Sequence, residues 1–137
     1  MPYKHMPLRV LVADDDRDTA NVLAAIMRDE GHDAHIVLRG DEVSEVDRLV
    51  RPDVLVLDIN MPGMSGYAVA CEIRERRGLL APLLIAISGT WTDKAEQRLA
   101  QHLGFDHYLR KPCDAGVLVA LLNAFQSRAR SEASGGK

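Results

Sequence analysis

Short apolar runs and longer stretches with a three-to-four-residue period alternate along the whole chain. Leu8-Arg9-Val10-Leu11-Val12-Ala13 is the first run and stops at three aspartates. Asp53-Val54-Leu55-Val56-Leu57 stops at Asp58, and Leu83-Leu84-Ile85-Ala86-Ile87 stops at Ser88. Near-continuous apolar runs of this length fit strands covered on both faces, as in a parallel sheet. His35-Ile36-Val37-Leu38 and His107-Tyr108-Leu109-Arg110 predict two shorter strands.

Helical spacing fills the intervals. Residues 18–30 place Val22, Leu23, Ile26 and Met27 on one stripe, closed by Gly31. Residues 42–50 gather Val43, Val46, Leu49 and Val50. Ser65 predicts an N-cap for a helix through Arg77, stopped by Gly78. Thr92 caps a helix carrying Ala95, Leu99 and Leu103 up to Gly104, and Asp114 caps a last one with Leu118, Leu121, Leu122 and Phe125 inward. Five strand-then-helix units imply right-handed crossovers and a doubly wound, three-layer α/β fold. Ligand sites in such sheets lie beyond the carboxyl ends of the strands. Those ends carry Asp14, Asp15 and Asp16, then Asp58, Ser88 and Lys111.

The length of 137 residues suits one domain with a core of its own, and only 4% of the chain is aromatic, so Val, Leu, Ile and Ala must build it. We place the domain at residues 7–126, between a flexible N-terminus (1–6) and a polar, aperiodic, flexible tail (127–137). Twenty acids against 17 bases, a net charge of −3, argue against a direct nucleic-acid footprint. Neither a signal peptide nor an apolar stretch of about 20 residues is present, so no membrane association is expected. Cys71 and Cys113 lie far apart, which reads as two buried small hydrophobes in a reduced, cytoplasmic protein.

Carboxylates gathered on one rim repel: two unit charges about 5 Å apart cost roughly 3 kcal/mol at an effective dielectric of 20. Packing Asp14, Asp15 and Asp58 together therefore calls for a cation. A hard divalent ion with oxygen ligands, Mg²⁺ first and Mn²⁺ second, answers that need.

Four stretches now stand in order: Val10 to Asp16 (VLVADDD), Val56 to Gly66 (VLDINMPGMSG), Ile85 to Gly89 (IAISG) and Tyr108 to Pro112 (YLRKP). Together they resemble a response-regulator receiver domain of two-component signalling over residues 7–126. The resemblance implies a flavodoxin-like, five-stranded parallel sheet of order 2-1-3-4-5 with five helices on both faces. It implies that Asp58 is the phosphoacceptor, attacking a phosphohistidine on a sensor histidine kinase or phosphotransfer protein. Asp15 and Asp58 would ligate Mg²⁺ by side chain, Asn60 by its backbone carbonyl, and Asp14 through water. Lys111 and Ser88 would hold the phosphoryl group, Ser88 and Tyr108 would act as the switch, and Asn60 and Thr90 would tune dephosphorylation. The fourth helix, fifth strand and fifth helix would present the changing surface to an output protein or, in a homodimer, to a second copy. Such a protein is a self-phosphorylating and self-dephosphorylating module, not a turnover enzyme.

Other residues receive plainer readings. Asp16 is either a third acid of the site or a helix-entry residue. Lys111-Pro112 resembles the family's cis peptide. Trp91 lies on the expected output side. His32 and His35 lack a third ligand for a metal, and Arg74, Arg76 and Arg77 read as a solvated helix face. A Mg²⁺-dependent phosphohydrolase of haloacid-dehalogenase type is the competing function, but Asp14-Asp15-Asp16-Arg17-Asp18 lacks that family's final hydroxyl or valine. A flavodoxin-like cofactor binder would need a Ser/Thr/Gly-rich phosphate loop where the aspartates stand. The Met1 start favours a stand-alone regulator over a receiver fragment of a hybrid histidine kinase.

Overall fold

A computed structural model describes residues 6–89 and 94–135 of the chain. Thr90, Trp91 and Thr92, which the sequence reading assigned to tuning, output and capping, lie outside the described residues. The elements run β1 (Arg9–Ala13), α1 (Arg17–Asp29), β2 (Asp33–Val37), α2 (Val43–Val50), β3 (Val54–Asp58), α3 (Gly66–Arg77), β4 (Leu83–Ser88), α4 (Lys94–His102), β5 (His107–Arg110) and α5 (Ala115–Gly135). All strands are parallel in the order β2-β1-β3-β4-β5, the doubly wound flavodoxin-like arrangement with five helices.

Alternation along each buried strand divides the core in two. Val10, Val12, Val54, Val56, Ile85 and Ile87 face α1 and α5, meeting Leu23, Met27, Leu118 and Leu122. Leu11, Leu55, Leu57, Leu84 and Ala86 face the other way, onto Val43 of α2, Val69 and Ile73 of α3 and Ala100 of α4. Each large aliphatic side chain sealed this way contributes about 1.5–3 kcal/mol. The pattern on the strands is thus the direct cause of the three layers.

Three helix faces differ from the sequence expectation by a small rotation. Val22, Leu49 and Leu99 are 58%, 76% and 48% exposed, although each was placed inward. The reason is size: Ala20 and Ala24 in α1 and Ala100 in α4 take the core positions, because their small side chains let helix and sheet approach closely. In α2 the fully buried positions are Val43 and Asp47. The second strand begins two residues earlier than expected, at Asp33, because His32 is buried and its Nδ1 accepts the Leu8 N–H at 3.1 Å. That bond gives His32 a packing role.

Two further corrections concern the ends of helices and the cysteines. Residues 127–135, read as an aperiodic tail, continue α5 as helix. Their Ala, Arg and Glu residues favour helix even without an apolar stripe. Cys71 is exposed on α3, not buried, and Cys113 is half-buried. Gly31 does close α1, at φ +91, where an L side chain would be strained.

Candidate functional site

The carboxyl edge of the sheet brings distant residues to one point. Asp14 leaves β1 with its N–H on the Val37 carbonyl at 3.0 Å, and it is fully buried. Asp58 is the last residue of β3 and only 3% exposed. Ser88 ends β4, also buried, and its carbonyl accepts the Lys111 N–H at 2.8 Å, which fixes the start of the loop after β5. The Lys111–Pro112 peptide is cis, as the motif implied. One oxygen from each of Asp14, Asp15 and Asp58 lies within 4.8 Å of the others, with Asp15 on the exposed side.

The ammonium of Lys111 reaches into this cluster. Its Nζ stands 2.8 Å from Asp14 Oδ2 and 3.2 Å from Asp58 Oδ2. The other Asp58 oxygen accepts the Asn60 N–H at 3.1 Å. Burial, reinforced by the charge of Asp14, raises the Asp58 carboxyl to a pKa of about 6; the Asn60 N–H and Lys111 only partly oppose this. Burial works against the Lys111 charge, but the bonds to Asp14 and Asp58 outweigh it and hold the ammonium above its ordinary value. One cation thus serves two buried carboxylates and leaves a negative excess. A site made only of carboxylate oxygens, short of positive charge and open at Asp15, fits a hard divalent cation.

Asp16 points elsewhere. It caps α1, its side chain accepting the Asp18 N–H at 3.1 Å and the Thr19 hydroxyl at 3.0 Å. The Thr19 bonds hold its carboxyl below the usual range. Of its two readings, helix entry is the one the contacts describe. Tyr108 lies half-buried on β5 beside a pocket of about 250 Å³ that Gln97 and Ala100 of α4 also line. Its hydroxyl is buried and has no hydrogen-bond partner among the described residues.

Two features were not read from the sequence. A second, larger hollow of about 430 Å³ opens beside Lys111, lined by Val22, Leu23 and Ile26 of α1 and by Pro112 and Cys113. Its signal was the exposed apolar Val22, which periodicity had assigned to the core. Arg76 and Arg77 are not a solvated face: they bond the two oxygens of fully buried Asp47 at 3.0 and 2.9 Å. Arg74 also pairs, holding Asp106 at 3.1 Å and the Gly104 carbonyl. An isolated buried carboxylate is untenable, so α3 supplies the arginines that α2 requires.

Comparison with known proteins accounts for the common edge. The response regulator receiver domain family model matches residues 10–123, from the first strand into the last helix. The chain belongs to this family. The receiver is 34% identical over 119 residues to the DNA-binding response regulator MtrA of Mycobacterium tuberculosis, covering 87% of this chain and 50% of that one. It therefore spans about half the length of the curated relatives it matches. Among solved structures, a Francisella response regulator receiver domain superposes with a TM-score of 0.80 at 25% identity, covering 89% of this chain and 98% of that one. The BeF3-activated N-terminal receiver domain of Klebsiella pneumoniae RstA gives 0.77 at 25% identity, covering 85% and 96%. The protein is a receiver domain of two-component signalling, a signalling module. No helix among the described residues is long and apolar enough to cross a membrane.

Proposed function

We propose that Asp58 accepts a phosphoryl group from a phosphohistidine of a sensor histidine kinase or phosphotransfer protein. The observation that carries this reading is the meeting of buried Asp58 and Asp14 with exposed Asp15 on one rim, with Lys111 bridging the buried pair. An Asp58 carboxylate oxygen attacks phosphorus in line; the phosphorus–nitrogen bond breaks, its electrons return to the imidazole, and an acyl phosphate remains. Mg²⁺, or Mn²⁺ in its place, would be held by Asp15, Asp58 and the Asn60 carbonyl, with Asp14 behind a water, and would supply neutralisation of charge on the transferring group. Lys111 takes one phosphoryl oxygen as a compact, mobile cation, and the Ser88 hydroxyl donates to another. Asn60 tunes the lifetime of the product from two residues beyond Asp58, and Thr90 is its proposed counterpart.

Tyr108 is the proposed reporter. Its hydroxyl, without a hydrogen-bond partner among the described residues, is poised to change place when Ser88 moves toward the phosphoryl group. The surface of α4, β5 and α5 then reshapes for an output protein or a second copy of the chain. Phosphorylation must favour the altered state differentially for any of this to follow. The hollow beside Lys111, whose ammonium contacts Asp58, has an apolar wall of Val22, Leu23, Ile26 and Pro112 and is a suitable seat for the donor protein.

Acetyl phosphate with Mg²⁺ tests the proposal. Intact mass should rise by one phosphoryl group in the wild type, and neither Asp58→Asn nor the wild type in chelator should be labelled. Undiminished labelling of Asp58→Asn would sink the assignment.

A further inference from the structure

The turn between β2 and α2 grips the loop that leaves Asp58. Gly40 in that turn is buried, and its N–H donates to the Pro62 carbonyl at 3.1 Å. A Cβ on Gly40 would stand 1.8 Å from the Met64 carbonyl oxygen and 2.8 Å from its carbon. Backbone meets backbone there, so no rotamer change could relieve the clash. The next residue, Asp41, lies against Gly63, where a Cβ would come within 2.5 Å of Asp41 Oδ1. Arg39 holds that carboxylate through Nε and Nη2 at 3.0 and 3.1 Å.

The far end of the loop is held equally tightly. The Gly66 N–H donates to the Ile59 carbonyl at 2.8 Å, and a Cβ on Gly66 would approach the Asp58 carbonyl oxygen to 2.6 Å. Ile59 and Met61 are buried beneath it. Between these two clamps the Asn60 N–H reaches Asp58 Oδ1. The loop's freedom is therefore set from Gly40 and Asp41 on one side and Gly66 on the other.

We infer that Gly40 is a positioning residue: through Pro62 and Met64, the turn at residues 39–42 fixes the Asn60 segment against Asp58. The inference rests on the phosphoacceptor reading, and it extends the functional unit to a turn that touches none of the reacting groups. A contact serving stability alone would lower the unfolding midpoint and leave the folded site unchanged.

Three variants separate these roles. Gly40→Ala pushes on the loop, Asp41→Ala removes the outer brace, and Gly31→Ala strains a φ +91 position with open space around it. Mg²⁺ affinity is read by calorimetry, Asn60 amide exchange by NMR without metal, and stability by urea. Gly40→Ala should weaken Mg²⁺ binding about tenfold, the lower end for residues that support metal ligands, and Asp41→Ala, one contact further out, by roughly threefold, less than that range. Both should speed Asn60 exchange, whereas Gly31→Ala should lower the urea midpoint and leave the other two readings alone. Unchanged Mg²⁺ affinity and exchange in folded Gly40→Ala, or an equal loss in Gly31→Ala, overturns the inference. Should Gly40→Ala fail to fold, Asp41→Ala decides by the same criterion. A wild type that binds no Mg²⁺, yet shows faster Asn60 exchange on Gly40→Ala, overturns the metal reading while upholding the brace.

Discussion

Asp58 holds a carboxyl that ionises near pH 6 in the folded domain, against 3.8 for the ordinary group. Between those values the folded state binds more protons than the unfolded chain, so this residue makes stability fall as pH rises from about 4 to about 6. Asp58→Asn should therefore be the more stable protein at pH 7 by an amount on the order of 2 kcal/mol, with the gap closing toward pH 4. Urea unfolding of both proteins at the two pH values checks this, and a gap that widens on acidification would reverse the sign. Saturating Mg²⁺ should narrow the gap at pH 7, since it binds the ionised carboxylate, and chelator should restore it. Tyr108→Phe removes a buried hydroxyl without a partner among the described residues, so a gain of about 1 kcal/mol is expected in the same assay. At this scale the meeting of these residues on one edge was legible: Asp14, Asp58 and Ser88 each follow an apolar run and Lys111 a shorter strand, and a strand end is the most rigid place a polar residue can occupy. Asp47 was not legible. An acid inside an amphipathic stretch looks solvated until the arginines of another helix are seen to meet it.

Between elements, α2 and α3 are joined by charge as well as by apolar packing. Asp47 accepts from Arg76 and Arg77, and Ser44 bonds Glu72 alongside. Removing Arg77 leaves buried Asp47 with only the more solvent-screened partner, because the Arg77 and Arg76 side chains are 11% and 26% exposed. Arg77→Ala should cost about 2–4 kcal/mol in urea unfolding and Arg76→Ala about half of that. Equal, negligible losses would mean that Asp47 is neutralised in another way. Element type followed from periodicity, because strands covered on both faces and helices covered on one leave different spacings. Helix rotation did not, because Ala20, Ala24 and Ala100 hold core positions that a reading weighted toward large residues gives to Val22 and Leu99. The continuation of α5 to Gly135 was hidden for a related reason: helix propensity persists where amphipathicity ends.

Over the whole molecule, the two cores meet at a sheet whose carboxyl edge carries Asp14, Asp15, Asp58, Ser88 and Lys111. Lys111 spans that edge from β5 to β1 and β3. In Lys111→Ala the acidic cluster loses its ammonium, so Mg²⁺ should bind at least as tightly as in the wild type, while phosphorylation ceases to reshape α4, β5 and α5. Calorimetry and NMR shifts on those elements would report both, and an intact response in Lys111→Ala would remove the lysine from the switch. The order of strands and the placement of the rim could be anticipated because four motifs stood in sequence. The clamps around the loop after Asp58 could not, since they depend on backbones approaching across 24 positions, from Gly40 to Met64. The most direct measurement concerns the acyl phosphate itself. After labelling with acetyl phosphate and Mg²⁺, borohydride reduces an aspartyl phosphate to homoserine, and peptide mass mapping locates it. The account predicts homoserine at position 58 and at no other aspartate; homoserine at position 14 or 15, with position 58 unmodified, would contradict it.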